Sequence, residues 1–400
     1  MTLRNASFRF HVAASLLLLG LLSMAAEAGG VTYNVPVNGD IQAAINGASD
    51  GDTIQLAAGQ YDITTTINTL GKQVTLLGTV GRNGEPTSVL DGGGAVRVLA
   101  CQSGETDATV FENLVVQNGF TTGSFPGTRG GGMFNDASSP TLLNCTFAGN
   151  SADVGGGMAN VNSSSPTLAD CTFTGNSADA GGVGGGMNNF SSSPTLLNCT
   201  FAGNSASIVG GGMANVISSS PTLTGCTFAG NSAAEGGGMY NFSSSSPTLA
   251  DCTFTGNSAS FTCGGMANFS SSSPTLNDCT FTSNSAESGT GGGMYNYDDS
   301  SPTLTDCNFC GNTSTLGNRN IDGDAIDGSS SGNLLLLNCN PGDVNFDLAV
   351  DSGDLGYLLA LWGASSVLNA DINQDGQVNG SDLAFILSYF GGATDATTAP

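Results

Sequence analysis

The residues best suited to chemistry in this 400-residue chain lie in two acidic loops 28 residues apart. Asp343, Asn345, Asp347, Ala349, Asp351 and Asp354 occupy positions 1, 3, 5, 7, 9 and 12 of the first loop. Asp371, Asn373, Asp375, Gln377, Asn379 and Asp382 occupy the same positions of the second. Side-chain oxygens at 1, 3, 5, 9 and 12, with the backbone carbonyl of position 7, form the oxygen shell that a Ca²⁺ ion takes. Two Ca²⁺ sites are expected, one per loop. Position 6 wants a backbone with φ > 0, which Gly376 supplies and Leu348 does not. The first site is therefore expected to bind more weakly than the second.

Each loop needs a rigid element to hold its last ligands. Leu355, Leu358, Leu359 and Trp362 follow the first loop, and Leu383, Ile386, Leu387 and Phe390 follow the second at the same offsets. The i, i+3, i+4, i+7 spacing predicts one apolar face on each of two short helices. Gly363 and Gly391 would stop them. Residues 342–392 thus read as a duplicated loop–helix domain. It is too small to be secure alone, so Ca²⁺ binding is expected to supply part of its folding free energy. The pattern resembles the type I dockerin module. That resemblance implies an EF-hand-like, all-α domain that docks a cohesin-type domain of another protein. It also implies a contact centred on loop positions 10 and 11, here Ser352, Gly353, Gly380 and Ser381.

The elements that carry this domain are repeats. Cys145, Cys171, Cys199, Cys226, Cys252, Cys279 and Cys307 recur every 26 to 28 residues, each followed by a Phe two positions on (Phe147 to Phe309) and an Asn three further (Asn150 to Asn312). Self-similarity at this period marks a solenoid. Proline, serine runs and glycine runs exclude helical repeats, and Cys-Thr-Phe alternates as a short strand. A Pro-Thr-Leu strand precedes it, with an Asx bend before the Cys. A third strand is available at Gly-Gly-Met-x-Asn. Three strands per coil predict an all-β parallel β-helix, with like residues stacked about 4.8 Å apart. Met, Leu, Cys and Phe would fill the interior, Asn ladders would run along the axis at turns, and serines would cover an outward loop. The alternating Gly-Gly-apolar and Phe-x-x-Asn motifs over residues 130–320 resemble the repeats of polymorphic outer-membrane proteins, which suggests adhesion at a surface.

Residues 29–129 read as the cap and first coils of the same solenoid. Asp40 is expected to N-cap a helix from Ile41 to Asn46 that ends at Gly47 and covers the open first coil. The segment Asp50 to Tyr61 resembles the N-terminal coil of the pectin-lyase-like superfamily, which includes polysaccharide lyases, hydrolases and esterases. Residues 321–341 are read as a last coil and linker, and 393–400 as a tail.

Residues 1–28 read as a secretory signal peptide: Arg4 and Arg9, an apolar run Val12 to Leu22, and Ala26-Glu27-Ala28 as the cleavage signal. A secreted or cell-surface location and no transmembrane segment in the mature chain are the expectations. The mature chain keeps five basic residues against 31 acidic ones and no histidine. That surface disfavours nucleic acid. The seven ladder cysteines are expected to be mostly free, buried thiols, although adjacent rungs fall within disulfide range. Clustered carboxylates beside a base are missing from the repeats, so the rod reads as non-catalytic. The reading is a secreted β-helix for surface adhesion or carbohydrate binding, tethered through a Ca²⁺-dependent dockerin. The alternatives are a divergent polysaccharide lyase or glycoside hydrolase in the same kind of assembly, and a structural spacer.

Overall fold

A computed structural model describes residues 30–121, 128–336, 352–363 and 378–389. Residues 1–29, most of the two acidic loops and residues 390–400 lie outside the described residues.

From Met133 on, the described coils trace the same path, and all named strand pairings are parallel. In the second repeat the chain runs through Met158–Val161, Thr167–Ala169, Thr172–Thr174 and Ser177–Val183 before Met187–Phe190 opens the next coil. These strands belong to four sheets: sheet I (the Met strands, 10), sheet II (the Pro-Thr-Leu strands, 11), sheet III (the Cys-Thr-Phe strands, 11) and sheet IV (7). Three strands per coil were expected. The fourth arises because the pair after each ladder Asn, Ser-Ala in six repeats and Thr313-Ser314 in the last, also pairs across coils, as Ser177 with Ser205 and Ala178 with Ala206.

Register follows identity. Met158 faces Met187, Leu168 faces Leu196 and Phe173 faces Phe201. The rings from Phe147 to Phe309 form one continuous stack with centroids 4.5–4.8 Å apart and planes within 4°. Met, Leu, Cys and Phe of every repeat are buried in one core. The bend between Leu and Cys is the αL bend that the Asx residues suggest: φ lies between 48° and 64° at Asn144, Asp170, Asn198, Gly225, Asp251, Asp278 and Asp306. Between sheets IV and I the tight corner needs glycine. Gly155 holds φ 67°, and a Cβ on Gly157 would lie 2.5 Å from the Gly186 carbonyl oxygen.

Most polar groups in the interior are completed by a neighbouring coil; Asn135 Oδ1, at the first rung of its ladder, is not. Asn231 donates its backbone N–H and its Nδ2–H to Asn257 Oδ1 (3.0 and 2.9 Å) and a second Nδ2–H to the Phe201 carbonyl (2.9 Å). Its own Oδ1 accepts from Asn204 in the same way. A second ladder, Asn135 to Asn296, links Nδ2 to Oδ1 at 2.8–2.9 Å inside sheet I. The serine runs do not simply cover an outward loop. One serine of each run is buried, and its Oγ accepts the backbone N–H of its counterpart one coil earlier, as Ser245 does from Ser219 (3.1 Å). Nine cysteines are free and buried, among them all seven of the ladder. Their Sγ–H groups point to carbonyls, as Cys171 does to Ala169 (3.4 Å). Cys310 is disulfide-bonded.

At the amino-terminal end the expected cap is present. Helix α1, Ile41–Gly47, is capped by Asp40, whose carboxylate accepts from the Ala43 N–H (2.8 Å), and it buries Ile41 and Ile45 against the first coil. Lys72 Nζ closes the other end of α1 by donating to the carbonyls of Ile45, Asn46 and Ala48 (2.7–2.8 Å).

Replacing a rung of the inner ladder should be costly. Asn231→Ala strands the Phe201 carbonyl and the Asn204 amide groups without water, a loss of about 3–5 kcal/mol at roughly 1–3 kcal/mol per buried orphan. Thr248→Ala on the exposed side should stay within about 0.5 kcal/mol. Urea unfolding of the two variants checks this, and equal midpoints would show that the ladder is not a source of stability.

Candidate functional site

Two regions carry functional side chains: the outer face of sheet I and the C-terminal pair of helices. Along each sheet I strand, Met and Asn point inward, so the residue between them and the residue after the Asn point outward. This gives two columns outside the main core, of which the first is buried from Phe134 through Ala267. The first holds Phe134, Ala159, Asn188, Ala214, Tyr240, Ala267 and Tyr295, and the second Asp136, Val161, Phe190, Val216, Phe242, Phe269 and Tyr297.

The columns change character along the axis. At the amino-terminal end the Arg97 guanidinium lies 4.8 Å from the centre of the Phe134 ring and donates to the carbonyls of Arg129 and Gly130. Burial lowers its pKa to about 10, so it stays protonated at neutral pH. Arg129 lies 5.4 Å from the centre of Phe190 and senses the Asp136 carboxylate. Asn162 donates to that carboxylate (2.8 Å). In the middle, Asn188 is buried with both amide atoms unpartnered. Toward the C-terminal end, aromatic rings take over. Tyr240 lies 6.2 Å from Phe242 and 5.4 Å from Phe269, and Phe269 lies 5.7 and 5.9 Å from Tyr295 and Tyr297. Phe242 is 39% exposed and Tyr297 54%.

Carboxylates border these rings. Burial, then the nearby Glu235 charge, pushes the Tyr240 phenol up to about 12. Tyr295 is raised by burial and by Asp322, Tyr297, Asp324 and Glu235. Other acids have structural partners. Glu105 is buried; desolvation opposes its ionisation, but donors from Ser103, Thr69, Gly71 and Ser138 hold its pKa below the usual range. Asp170 sits at the αL bend and accepts from Asn198 (3.2 Å). Among the described residues no three His, Cys, Asp or Glu side chains gather as a metal site. Burial raises the thiols of Cys101, Cys171 and Cys263, which leaves them unreactive at neutral pH.

Most of the residues expected to bind metal lie outside the described residues: Asp343, Asn345, Asp347, Ala349, Asp351, Asp371, Asn373, Asp375 and Gln377. The elements after them are present. Helix α2, Ser352–Ala360, begins at position 10 of the first loop, and helix α3, Gly380–Tyr389, at position 10 of the second. Ser352 and Gly353 thus start α2, and Gly380 and Ser381 start α3. Asp354 and Asp382, at position 12, fall in the first turn of each helix. Asn379 Oδ1 accepts the Ser381 N–H (2.8 Å), an Asx turn at the mouth of α3. The two helices contact one another, and the Gly363 N–H donates to the Val378 carbonyl (2.8 Å). Gly363 is αL (φ 80°), the expected stop. The apolar faces are less fully packed than their spacing suggests: Leu358 and Val378 are buried, whereas Leu359, Trp362 and Leu387 are 48–52% exposed. An all-oxygen donor set of carboxylates and amides, ended by paired helix starts, suits a hard cation such as Ca²⁺.

The sequence pointed to the C-terminal loops but not to the aromatic columns. Their signal was the variable position on either side of the invariant Asn in Gly-Gly-Met-x-Asn-x, which reads as noise until the strands are stacked.

Burial raises the Glu235 carboxyl above its ordinary range. The folded chain then binds that proton more tightly than the unfolded chain, so stability falls as pH rises from the unfolded value through the raised one. Glu235→Gln is expected to flatten that part of a profile of thermal midpoint against pH and to raise the midpoint at neutral pH. An unchanged profile would rule out this role for the carboxylate.

Comparison with known proteins agrees with this architecture. Residues 91–219 and 209–340 match the model of the right-handed β-helix region, and residues 341–391 match that of the type I dockerin domain. No curated protein matches the chain. Among solved structures, a mannuronic acid specific polysaccharide family 6 lyase from human gut microbiota aligns over 74% of this chain and 82% of its own, at 11% identity and a TM-score of 0.45. Pectate lyase Pel9A covers 82% and 85% at 14% identity and 0.38. The A-module of the mannuronan C-5 epimerase AlgE4 of Azotobacter vinelandii covers 78% and 99% at 15% and 0.38. Likeness at this level carries no inference about activity. No described helix is long and apolar enough to cross a membrane. With four in-register parallel sheets and a duplicated helix pair behind them, the chain belongs to the right-handed β-helix family and ends in a type I dockerin domain.

Proposed function

We propose that this protein is a secreted, non-catalytic β-helix rod that presents a surface for adhesion or carbohydrate binding. Its C-terminal dockerin tethers it to a cohesin-type domain on a partner. The observation that carries the reading is the duplication of the C-terminal unit. Two twelve-residue oxygen-rich loops each end where a helix begins, at the same loop position, and the whole segment matches the type I dockerin model.

In this reading Asp343, Asn345, Asp347, Asp351 and Asp354 hold one Ca²⁺ with the Ala349 carbonyl. Asp371, Asn373, Asp375, Asn379 and Asp382 hold the other with the Gln377 carbonyl. The ion neutralises carboxylates that would otherwise repel one another at the two helix starts, and its binding adds to the stability of a small domain. At 100 times the dissociation constant that linkage is worth about 2.7 kcal/mol. Ser352, Gly353, Gly380 and Ser381 would form the partner contact. The half-exposed Leu359, Trp362 and Leu387 offer apolar surface beside it. Several features favour a non-catalytic rod. The basic residues Lys72 and Arg97 are engaged with backbone carbonyls, the bend acids serve turns, and Glu105 is saturated with donors.

Calorimetric titration of the full chain with Ca²⁺ should show two binding steps of unequal affinity. Asp371→Ala or Asp382→Ala should weaken the tighter step at least tenfold and lower the helical signal of the domain. Leu348→Gly should tighten the weaker step. A chelator should release the chain from an immobilised type I cohesin. Heatless titration, or capture that survives chelation, is the result that would falsify the docking assignment. Turnover of a pectin- or alginate-type polymer that a single Asp substitution abolishes would overturn the non-catalytic one.

A further inference from the structure

We infer that the aromatic cluster on the outer face of sheet I, Tyr240, Phe242, Phe269, Tyr295 and Tyr297, binds a neutral polysaccharide chain laid along the axis of the rod. The inference deepens the carbohydrate-binding reading above and rests on it.

Three observations select this ligand. The first is continuity: the five rings form an unbroken cluster with neighbouring centroids 5.4–6.3 Å apart. Within the first column, Tyr240 and Tyr295 stand two coils apart with Ala267 between them, about 9.6 Å on a rung spacing of about 4.8 Å. Tyr240 and Ala267 are buried beneath the cluster, so the accessible rings are Phe242 and Tyr297, with Phe269 and Tyr295 half-buried beside them. An aromatic face carries partial negative charge, and the C–H face of a pyranose carries the complementary sign.

The second observation is the rim. Asp322 follows Tyr295 in the same column one coil on, and after burial the charges of Asp322, Asp324 and Glu235 add to the raising of the Tyr295 phenol. A protein partner with an apolar core would have to strip water from these carboxylates, which is costly unless each finds a cation. Sugar hydroxyls can donate to carboxylates and phenol oxygens while the rim stays wet. The third is charge. A chain with 25 more acidic than basic residues repels polyuronates and anionic lipid, which leaves a neutral polymer as the matching occupant. At the amino-terminal end of the same face, Arg97 and Arg129 lie over Phe134 and Phe190.

The test uses the full chain with Ca²⁺ in affinity electrophoresis through gels holding hydroxyethylcellulose, xylan or galactomannan, with alginate and polygalacturonate as anionic comparators. At least one neutral polymer should retard the protein. Phe242→Ala with Tyr297→Ala should weaken that retardation at least tenfold without moving the thermal midpoint, because both rings are on the surface. Tyr297→Phe, which keeps the ring, should retain binding and guards against a misfolded double variant. Equal retardation of the double variant and the parent overturns the assignment, as does a preference for the anionic gels. In those cases the rod still binds polysaccharide, so only the assignment to this face fails. No retardation in any gel removes the carbohydrate reading itself, and cohesin capture of the same samples reports on the docking domain independently.

Discussion

A side-chain amide buried in every coil has one place to find its partners, which is the coil above and the coil below. Asn150 to Asn312 take that arrangement to completion. From Asn176 on, each Oδ1 receives two N–H donors from the preceding rung while each Nδ2 reaches a Phe carbonyl one coil back. Because a lone Asn in that position would be a buried orphan, the ladder ties each repeat to its flanking repeats and fixes the rotation between them. The four sheets, the Phe stack and the αL bends all share the register that this ladder holds.

That register decides what the outer surface looks like. With Met and Asn committed to the interior of sheet I, the two remaining positions of each strand face outward, so whatever the sequence places there is drawn into columns. Residues separated by 26 to 28 positions become neighbours at the spacing of adjacent strands. Tyr240, Phe269 and Tyr295 form one aromatic cluster for this reason alone. The acids of the bends take turn positions: Asp170 and Asp251 are held at φ 53°, on a different edge of the coil from the aromatic columns.

The interior and the C-terminal domain are stabilised differently. Burial of seven stacked Phe side chains, each worth roughly 1.5–3 kcal/mol, accompanies the saturated amide ladders and makes the rod stable by repetition. The helix pair has few buried side chains among those described, chiefly Leu358 and Val378. A domain with so little core is one whose fold can be coupled to a bound cation.

Spacing alone made several features legible. The period of Cys, Phe and Asn gave the solenoid, the Asx before Cys gave the αL bend, Asp40 gave the capped first helix, and the twin loops gave two oxygen-rich cation sites, on which the resemblance to a dockerin rests. Each of these is a local rule, since a turn type, a cap or a ligand spacing is satisfied within a few residues of itself. The fourth sheet, the buried serine rung and the aromatic face were not legible. Whether a Ser-Ala pair becomes a strand, or a serine lies inside, depends on what the neighbouring coil presents to it. Tyr240 and Tyr295 are 55 residues apart in the chain and act together only because parallel stacking converts repeat distance into contact. The sequence by itself determined the repeat, its inward residues and its docking tail. The outward surface was decided by tertiary structure, because proximity across coils is a property of register and not of any one segment.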